Sequence, residues 1–283
     1  MHFNDSLIFY LASLLYFFAD VLQKKISANR ATWEFVFIRS IYTTVIAWLI
    51  CLFVQDLNEL PSLYKMGEIM GASIFSCLGF YFYIKAINTT NFSNTWSLGI
   101  IGTVFQLLIG VFLFNEPFKA IWIPAIMLMC TGNIIQITQS KDFEGAKFVL
   151  LSVLFWSIGN TALSKVLQGV EVLWSVPLIE SSLLLMSGMV VLTSKSFTSH
   201  NRQNSKRISF SLLLVGVFIF VGSYWSQLSL QKIPISMFSI LQLSMLPIGY
   251  FLSFKIFKEK PSSIEWVSFI TGCIGFTWYV FNK

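Results

Sequence analysis

The chain has 283 residues, of which 55% are hydrophobic, 17% aromatic and only 11% charged. A soluble domain carries about a quarter charged residues, and the deficit here extends over the whole chain, which excludes a soluble fold. The formal net charge of +6 does not indicate nucleic acid binding, because the basic residues lie at the ends of apolar runs, where membrane proteins place them. The sequence predicts an all-α, multi-pass membrane protein.

Apolar runs long enough to cross a bilayer, about 20 residues, follow one another with mostly short polar connections. We predict ten transmembrane helices at Ser6–Ile26, Trp33–Val54, Lys65–Ile87, Phe92–Phe114, Phe118–Thr138, Ala146–Leu167, Val172–Thr193, Phe210–Leu230, Ile233–Phe257 and Ser263–Phe281. No connection is long enough to separate independently folded domains.

The first predicted helix has a second copy later in the chain. Phe9–Lys25 aligns with Val149–Lys165, which sets Lys25 on Lys165, and similar matches follow in the same order at a nearly constant offset. The later matches are 37–40 with 178–181, 79–88 with 222–231, 112–117 with 255–260 and 130–132 with 273–275. An ordered series of this kind indicates an internal repeat.

We therefore predict two repeats of five helices, residues 1–140 and 141–283. Because five is odd, the second repeat enters the membrane from the opposite side. The two copies are then related by a pseudo-two-fold axis in the membrane plane, an arrangement typical of secondary transporters. Inverted halves of similar energy can rock between states that open to either side.

Arg39 lies well inside the second predicted helix, and Glu180 is its counterpart in the second repeat. An Arg at the centre of a membrane helix costs about 2.5–3.5 kcal/mol on insertion scales, so it needs a protein or water partner. We hypothesise that the two residues form a central charge pair, which either binds a zwitterionic substrate or breaks during rocking. The alternatives are a structural clamp, or Arg39 extending to the membrane interface.

Asp20, near the end of the first helix, falls on Asn160 in the repeat. A partly desolvated carboxylate can take up a proton near neutral pH, which suits proton coupling. The alternative is an ion pair with Lys24, one helical turn away. Asn160 cannot titrate, so any carboxylate coupling at this depth belongs to one half only.

Aromatic residues on predicted cavity helices are candidates for binding substrate. They are Tyr81, Tyr83, Trp96, Trp156, Tyr224 and Trp225. Those matched in both repeats, Tyr16 with Trp156 and Tyr81 with Tyr224, are the stronger candidates for a cavity wall. Glu116 and Glu259 are expected at the starts of helices, where a negative charge suits the helix dipole.

The sequence predicts no metal site, no cofactor and no enzymatic activity. The two histidines, His2 and His200, lie in polar flanks, and the four cysteines show no CxxC spacing. Neither HExxH nor GxSxG is present, so the motifs of zinc proteases and α/β-hydrolases are missing.

The chain resembles the ten-helix drug/metabolite transporter superfamily, specifically its EamA-like members. The similarity lies in the aromatic first helix ending in Lys (Tyr16–Lys25, echoed at Trp156–Lys165), in Arg39, in the run YFYIKAINTTNFSNT at 81–95, and in an acidic turn before a Gly-containing helix. That last motif occurs twice, as Glu116 with Gly132 and as Glu259 with Gly275. Ala19-Asp20 departs from the Trp-Gly pair often found nearby in the family.

The resemblance implies export or exchange of small metabolites, often amino acids or related compounds. It also implies a central cavity lined by the first four helices of each half. Other readings are a membrane scaffold that transports nothing, or an organic-phosphate or nucleotide-sugar exchanger. We expect the substrate and the lipid bilayer as partners, no nucleic acid, the bacterial inner (plasma) membrane as the location, and leave a homodimer open.

The orientation of the chain has two opposing indications. Lys and Arg are more numerous on the side away from the termini, so the positive-inside rule places both termini outside. The resemblance implies cytoplasmic termini, and we adopt that orientation as the expectation.

Overall fold

The computed structural model describes residues 3–28, 30–55, 60–139, 143–194, 205–258 and 262–281. These residues form ten α-helices and no strand. The helices are α1 (Phe3–Ser27), α2 (Thr32–Val54), α3 (Leu63–Thr89), α4 (Phe92–Phe114), α5 (Trp122–Gln139), α6 (Phe143–Val166), α7 (Val172–Ser194), α8 (Ser205–Lys232), α9 (Ile235–Phe257) and α10 (Ser263–Phe281). The predicted all-α fold is confirmed.

Seven of these helices, α1, α2, α3, α6, α7, α8 and α9, contain an apolar stretch long enough to cross a bilayer. The corresponding stretches in α4, α5 and α10 are shorter, at Ile101–Phe114, Trp122–Gly132 and Trp266–Gly275. The chain is thus a multi-pass membrane protein by length and composition, and a crossing by all ten helices stays a prediction.

The helices of the first half pack mainly on helices of the second half. The most extensive contacts join α3 with α6, α5 with α10, α1 with α8, α4 with α9 and α2 with α7. Exchanging every helix for its counterpart turns the α3–α6 contact into the α8–α1 contact and leaves the other three pairs unchanged. The packing therefore has two-fold character, while the inverted orientation of the halves remains a prediction.

Local details recur in both halves. Helices α4 and α9 each end at a residue in the left-handed conformation, Asn115 and Lys258, both with φ 52°. Asn tolerates this conformation better than most residues, but Lys does so rarely. The shared backbone at these two ends therefore reflects the repeat and not the residue type.

Small residues allow the helices to approach closely. A Cβ atom added to Gly79 of α3 would lie 2.8 Å from the Trp156 ring of α6, and one added to Gly222 of α8 would lie 3.5 Å from the Tyr16 ring of α1. These are matching positions in the two halves. Close approach of backbones is a common source of helix association in membranes, because lipid tails remove the hydrophobic driving force.

Glu116 corrects one expectation from the sequence. The residue lies six positions before α5 begins, in the non-helical segment that follows α4. Its two carboxylate oxygens accept hydrogen bonds from the backbone N–H groups of Ile235 (2.9 Å) and Ser236 (2.7 Å) at the start of α9. Glu116 therefore caps a helix of the other half, because the first N–H groups of α9 have no partner within their own helix. Glu259 lies outside the described residues.

Candidate functional site

A cavity of about 350 Å3 lies between the two halves of the chain. Its described lining residues come from α1–α4 and from α6–α9, and none comes from the described parts of α5 or α10. Helices α5 and α10 instead pack on each other. This arrangement agrees with the expectation that the first four helices of each half surround the cavity.

One face of α1 and the matching face of α6 form two walls of this cavity. The lining residues of α1 are Ser13, Tyr16, Asp20 and Gln23. Those of α6 are Val149, Ser152, Val153, Trp156, Ser157, Asn160 and Leu163. Spacings of three and four residues place side chains on one helical face, so each repeat presents the same face and the side chains on it differ.

Arg39 of α2 and Glu180 of α7 meet at the cavity wall. Arg39 Nη1 donates to Glu180 Oε2 at 2.5 Å, and Arg39 Nη2 donates to Oε1 at 3.3 Å. The Thr43 hydroxyl donates to Oε2 at 2.6 Å. Both charged side chains are nearly fully buried, and two-pronged pairing of this kind is the strongest form of the Arg–carboxylate bond. The predicted contact between these residues is present.

The Arg39 guanidinium also lies over the Phe80 ring of α3, with 4.6 Å between the Cζ atom and the ring centroid. A cation above an aromatic face is attracted to the ring quadrupole. Arg39 is the only basic side chain among the described residues that line the cavity. Its charge is thus already met by a carboxylate and a ring.

Asp20 of α1 lines the same cavity. Its Oδ1 atom accepts a hydrogen bond from Gln23 Nε2 at 3.0 Å, and Tyr83 of α3 also interacts with this carboxylate. The Tyr83 ring lies 5.0 Å from the Trp156 ring, centroid to centroid, at an angle of 43°. No described basic residue lies within ion-pair distance of Asp20, so the alternative pairing with Lys24 is not observed.

Several polar lining residues escaped the sequence interpretation. Four glutamines face the cavity: Gln23, Gln106, Gln227 and Gln242. Gln106 and Gln23 are almost fully buried, and a neutral amide inside an apolar helix needs partners of its own. A glutamine inside an apolar run was therefore the sequence signal that could have identified these positions.

The predicted aromatic residues separate into two groups. Tyr83 and Trp156 line the cavity, together with Tyr16 and Asn160. Tyr81, Tyr224 and Trp225 are not among the lining residues.

Tyr81 points to another part of the structure, because its ring stacks on Trp33 at 4.1 Å and 16°. Tyr224 packs against the cluster around Trp174 and Phe220. The expectation that Tyr81 and Tyr224 form a cavity wall is therefore wrong. The side chain of Trp96 lies outside the described part of the chain.

No group of three His, Cys, Asp or Glu side chains in the described ranges could hold a metal ion. The cavity instead combines hydroxyls, amides, aromatic rings, one ion pair and one additional carboxylate. Such a lining suits reversible binding of a small polar or amphipathic molecule.

Comparison with known proteins identifies the fold and the family. A solved structure, described as a crystal structure of a protein, matches with a TM-score of 0.75 at 10% sequence identity, over 100% of this chain and 98% of that one. Likeness at this identity shows a shared fold alone. None of the curated proteins compared with the chain matches it.

The model of the EamA-like transporter family matches the chain twice, at residues 6–138 and 143–281. Together the two matches span nearly the whole sequence, in agreement with the internal repeat. The chain therefore belongs to the EamA-like transporter family, within the drug/metabolite transporter superfamily.

Proposed function

We propose that this protein is a secondary transporter, an exporter or exchanger of small metabolites such as amino acids or related amphipathic compounds. It works by alternating access of two inverted five-helix repeats, residues 1–140 and 141–283, in the bacterial inner membrane. Its partners are the small-molecule substrate and the lipid bilayer. The observation that carries the proposal is the cavity between the two halves, whose lining combines apolar side chains with an ion pair, a further carboxylate, hydroxyls and amides.

The packing departs from two-fold character in one place, and this supports alternating access. Helix α4 packs extensively on α6, whereas their counterparts α9 and α1 have only a slight contact. A transporter made of two similar halves reaches the opposite state by exchanging the roles of these two pairs. In such a protein the two halves are expected to have similar sequences, while their helix contacts differ in any one state.

The residues at matching positions account for the closer packing of α4 on α6. A Cβ atom added to Gly102 of α4 would lie 2.4 Å from Val153 Cβ of α6, and the Ser157 hydroxyl donates to the Gly102 carbonyl at 2.7 Å. Met245 of α9 and Ser13 of α1 hold the positions of Gly102 and Val153, and both line the cavity. The bulk of Met245 in place of a glycine disfavours an equally close α1–α9 contact in this state.

The other functions have less support. A scaffold that transports nothing does not need a buried polar cavity, which costs free energy wherever its polar groups lack partners. An exchanger of organic phosphates or nucleotide sugars needs cations to meet the phosphate charge, and Arg39 is already paired with Glu180.

Counterflow in proteoliposomes tests the proposal. Purified protein should exchange an external labelled substrate for an unlabelled internal pool, using a panel of amino acids, amines and other small metabolites. Ser13→Trp, which fills the cavity, should abolish the flux, and Thr193→Trp, on an exposed end of α7, should leave it unchanged. Flux at the level of empty liposomes for the whole panel contradicts transport and favours the scaffold. Repeating the assay with and without a pH gradient separates proton coupling from exchange.

A further inference from the structure

The charges in the cavity are unequally matched. Among the described residues, two carboxylates and one guanidinium line it. Glu180 accepts from both terminal nitrogens of Arg39 and from the Thr43 hydroxyl, so this carboxylate already has a cationic partner. Arg39 Nε has no acceptor among the described residues. Asp20 has only neutral neighbours within hydrogen-bond or ion-pair distance among the described residues. A carboxylate in a membrane interior is costly unless a cation or several donors compensate it.

Gln23 adds a second acceptor beside Asp20. Its Nε2 atom donates to Asp20 Oδ1 at 3.0 Å, which fixes the amide orientation, because the opposite one would set two acceptor oxygens against each other. The Gln23 Oε1 atom is then left buried, and no described residue donates to it. Gln23 is fully buried and lines the cavity. Two acceptor groups thus lie side by side, and both lack a cationic donor.

Aromatic rings complete the surroundings of these acceptors. Tyr83 and Trp156 line the same cavity as Asp20 and Gln23, and the two rings lie 5.0 Å apart, centroid to centroid. Aromatic faces attract ammonium groups, and they do so more strongly when water is excluded. Since an ammonium group carries three N–H donors, it can meet the Asp20 carboxylate, the Gln23 carbonyl and an aromatic face at once.

We propose that Asp20, Gln23, Tyr83 and Trp156 form an ammonium-binding site, and that the substrates of this protein are amphipathic organic amines that carry a positive charge. A carboxylate on the substrate is not required, because Glu180 holds the cavity guanidinium. This inference rests on the proposed transport function and narrows its substrate class. The site is asymmetric, since Asn160 and Leu163 occupy the positions of Asp20 and Gln23 in the second repeat.

Binding of four ligands that share a phenyl group and differ in charge tests the site directly. The full chain in lipid nanodiscs is titrated calorimetrically with phenethylamine, phenylalanine, 3-phenylpropionate and 2-phenylethanol. The amine should bind about tenfold more tightly than the neutral alcohol or more, which corresponds to about 1.4 kcal/mol, and the anion should bind most weakly. An amine affinity no higher than that of the alcohol or the anion overturns the proposal.

Variants assign the effect to these residues. Asp20→Asn and Gln23→Leu introduce side chains that the other repeat accepts at the same positions. Each should weaken amine binding about tenfold and weaken alcohol binding much less. Gln23→Glu adds a carboxylate and should strengthen amine binding, so the proposal stays testable if one variant fails to fold. Glu68→Gln, at a partly exposed carboxylate outside the cavity that is paired with Lys65 at 2.9 Å, is the matched control and should change nothing. Equal losses for amine and alcohol would refute the assignment.

Counterflow of the same ligands separates this inference from the proposed function. Preferred amine binding without flux of any ligand would overturn transport and leave the ammonium site in place. Flux of phenylpropionate or phenylethanol without flux of the amine would leave transport in place and overturn the ammonium site.

Discussion

The Arg39–Glu180 pair is a buried ion pair between the two halves of the chain. Each partner alone would be an uncompensated charge inside the membrane. Breaking a buried ion pair by changing one partner costs about 3–5 kcal/mol, whereas the Lys65–Glu68 pair, with both side chains partly exposed, falls in the class worth about 0–1 kcal/mol.

We expect Arg39→Glu and Glu180→Arg each to lower the thermal unfolding midpoint strongly and to abolish counterflow. The double replacement should recover part of the lost stability, because the pair is restored with its charges exchanged. A double variant no more stable than either single variant would show that the contact does not stabilise the fold. Exchanging Lys65 and Glu68 is the matched control and should have little effect.

For individual residues, the sequence predicted which side chains meet better than it predicted the direction in which a side chain points. Arg39 and Glu180 were found because the repeat placed two rare charges at equivalent depth. The prediction that Tyr81 forms part of the cavity wall was wrong, because each step of one residue along a helix turns the side chain by about 100°. Phe80 and Tyr83, on the same helix, face the cavity instead. Gln23 was missed because the sequence alone does not show that its acceptor oxygen is buried without a donor.

At the scale of helices, Glu116 ties the segment after α4 to the first turn of α9. A carboxylate that accepts from two N–H groups at a helix start acts as a cap and also meets the positive end of the dipole.

Glu116→Ala should therefore lower stability by about 1–2 kcal/mol, measured as a shift in the thermal unfolding midpoint in detergent. Glu116→Gln keeps one acceptor oxygen and loses the charge, so its shift should be smaller. Equal stability of the wild type and the alanine variant would contradict a capping role. The sequence did not predict this contact, because the capped helix lies more than a hundred residues away from Glu116.

Helices α5 and α10 pack on each other, and substitutions at their glycines test whether this contact stabilises the protein without affecting the cavity. A Cβ atom added to Gly132 of α5 would lie 2.3 Å from Ser268 Cα of α10, whereas one added to Gly272 of α10 meets no atom within 4 Å. Gly132→Leu should destabilise the protein by separating the two helices, and Gly272→Leu should not. Because neither helix lines the cavity among the described residues, the Gly132→Leu protein that remains folded should keep its ligand affinity. A changed affinity would mean that α5 acts on the cavity.

At the scale of the whole molecule, the closed α4–α6 contact and the slight α1–α9 contact define one state. If the halves exchange roles, Ser13 of α1 and Met245 of α9 approach each other in the other state. The nearly constant offset of the repeat predicted the pairing of helices. The offset could not predict whether α4–α6 or α1–α9 packs more closely. That depends on the size difference between Gly102 and Met245, which hold matching positions, and on the conformational state of the protein.

In a variant without its four cysteines, Ser13→Cys combined with Met245→Cys should be joined by a short thiol cross-linker faster when a transported ligand is present. The joined protein should show no counterflow, and reduction of a cleavable linker should restore it. Each single variant serves as a control for modification alone. A cross-linking rate that is independent of ligand, with full flux after joining, would contradict the exchange of roles.

The distance along the chain between Arg39 and Glu180 also affects how the protein is made. The two residues are 141 positions apart, so α2 enters the membrane before its partner has been synthesised. At about 5–20 residues per second, the guanidinium waits roughly 7–30 s for its carboxylate. During that time the insertion machinery, the lipid interface or water must hold the charge. The buried pair that stabilises the finished protein is thus a hazard of its biogenesis, and conditions that slow translation between α2 and α7 should lower the yield of inserted protein.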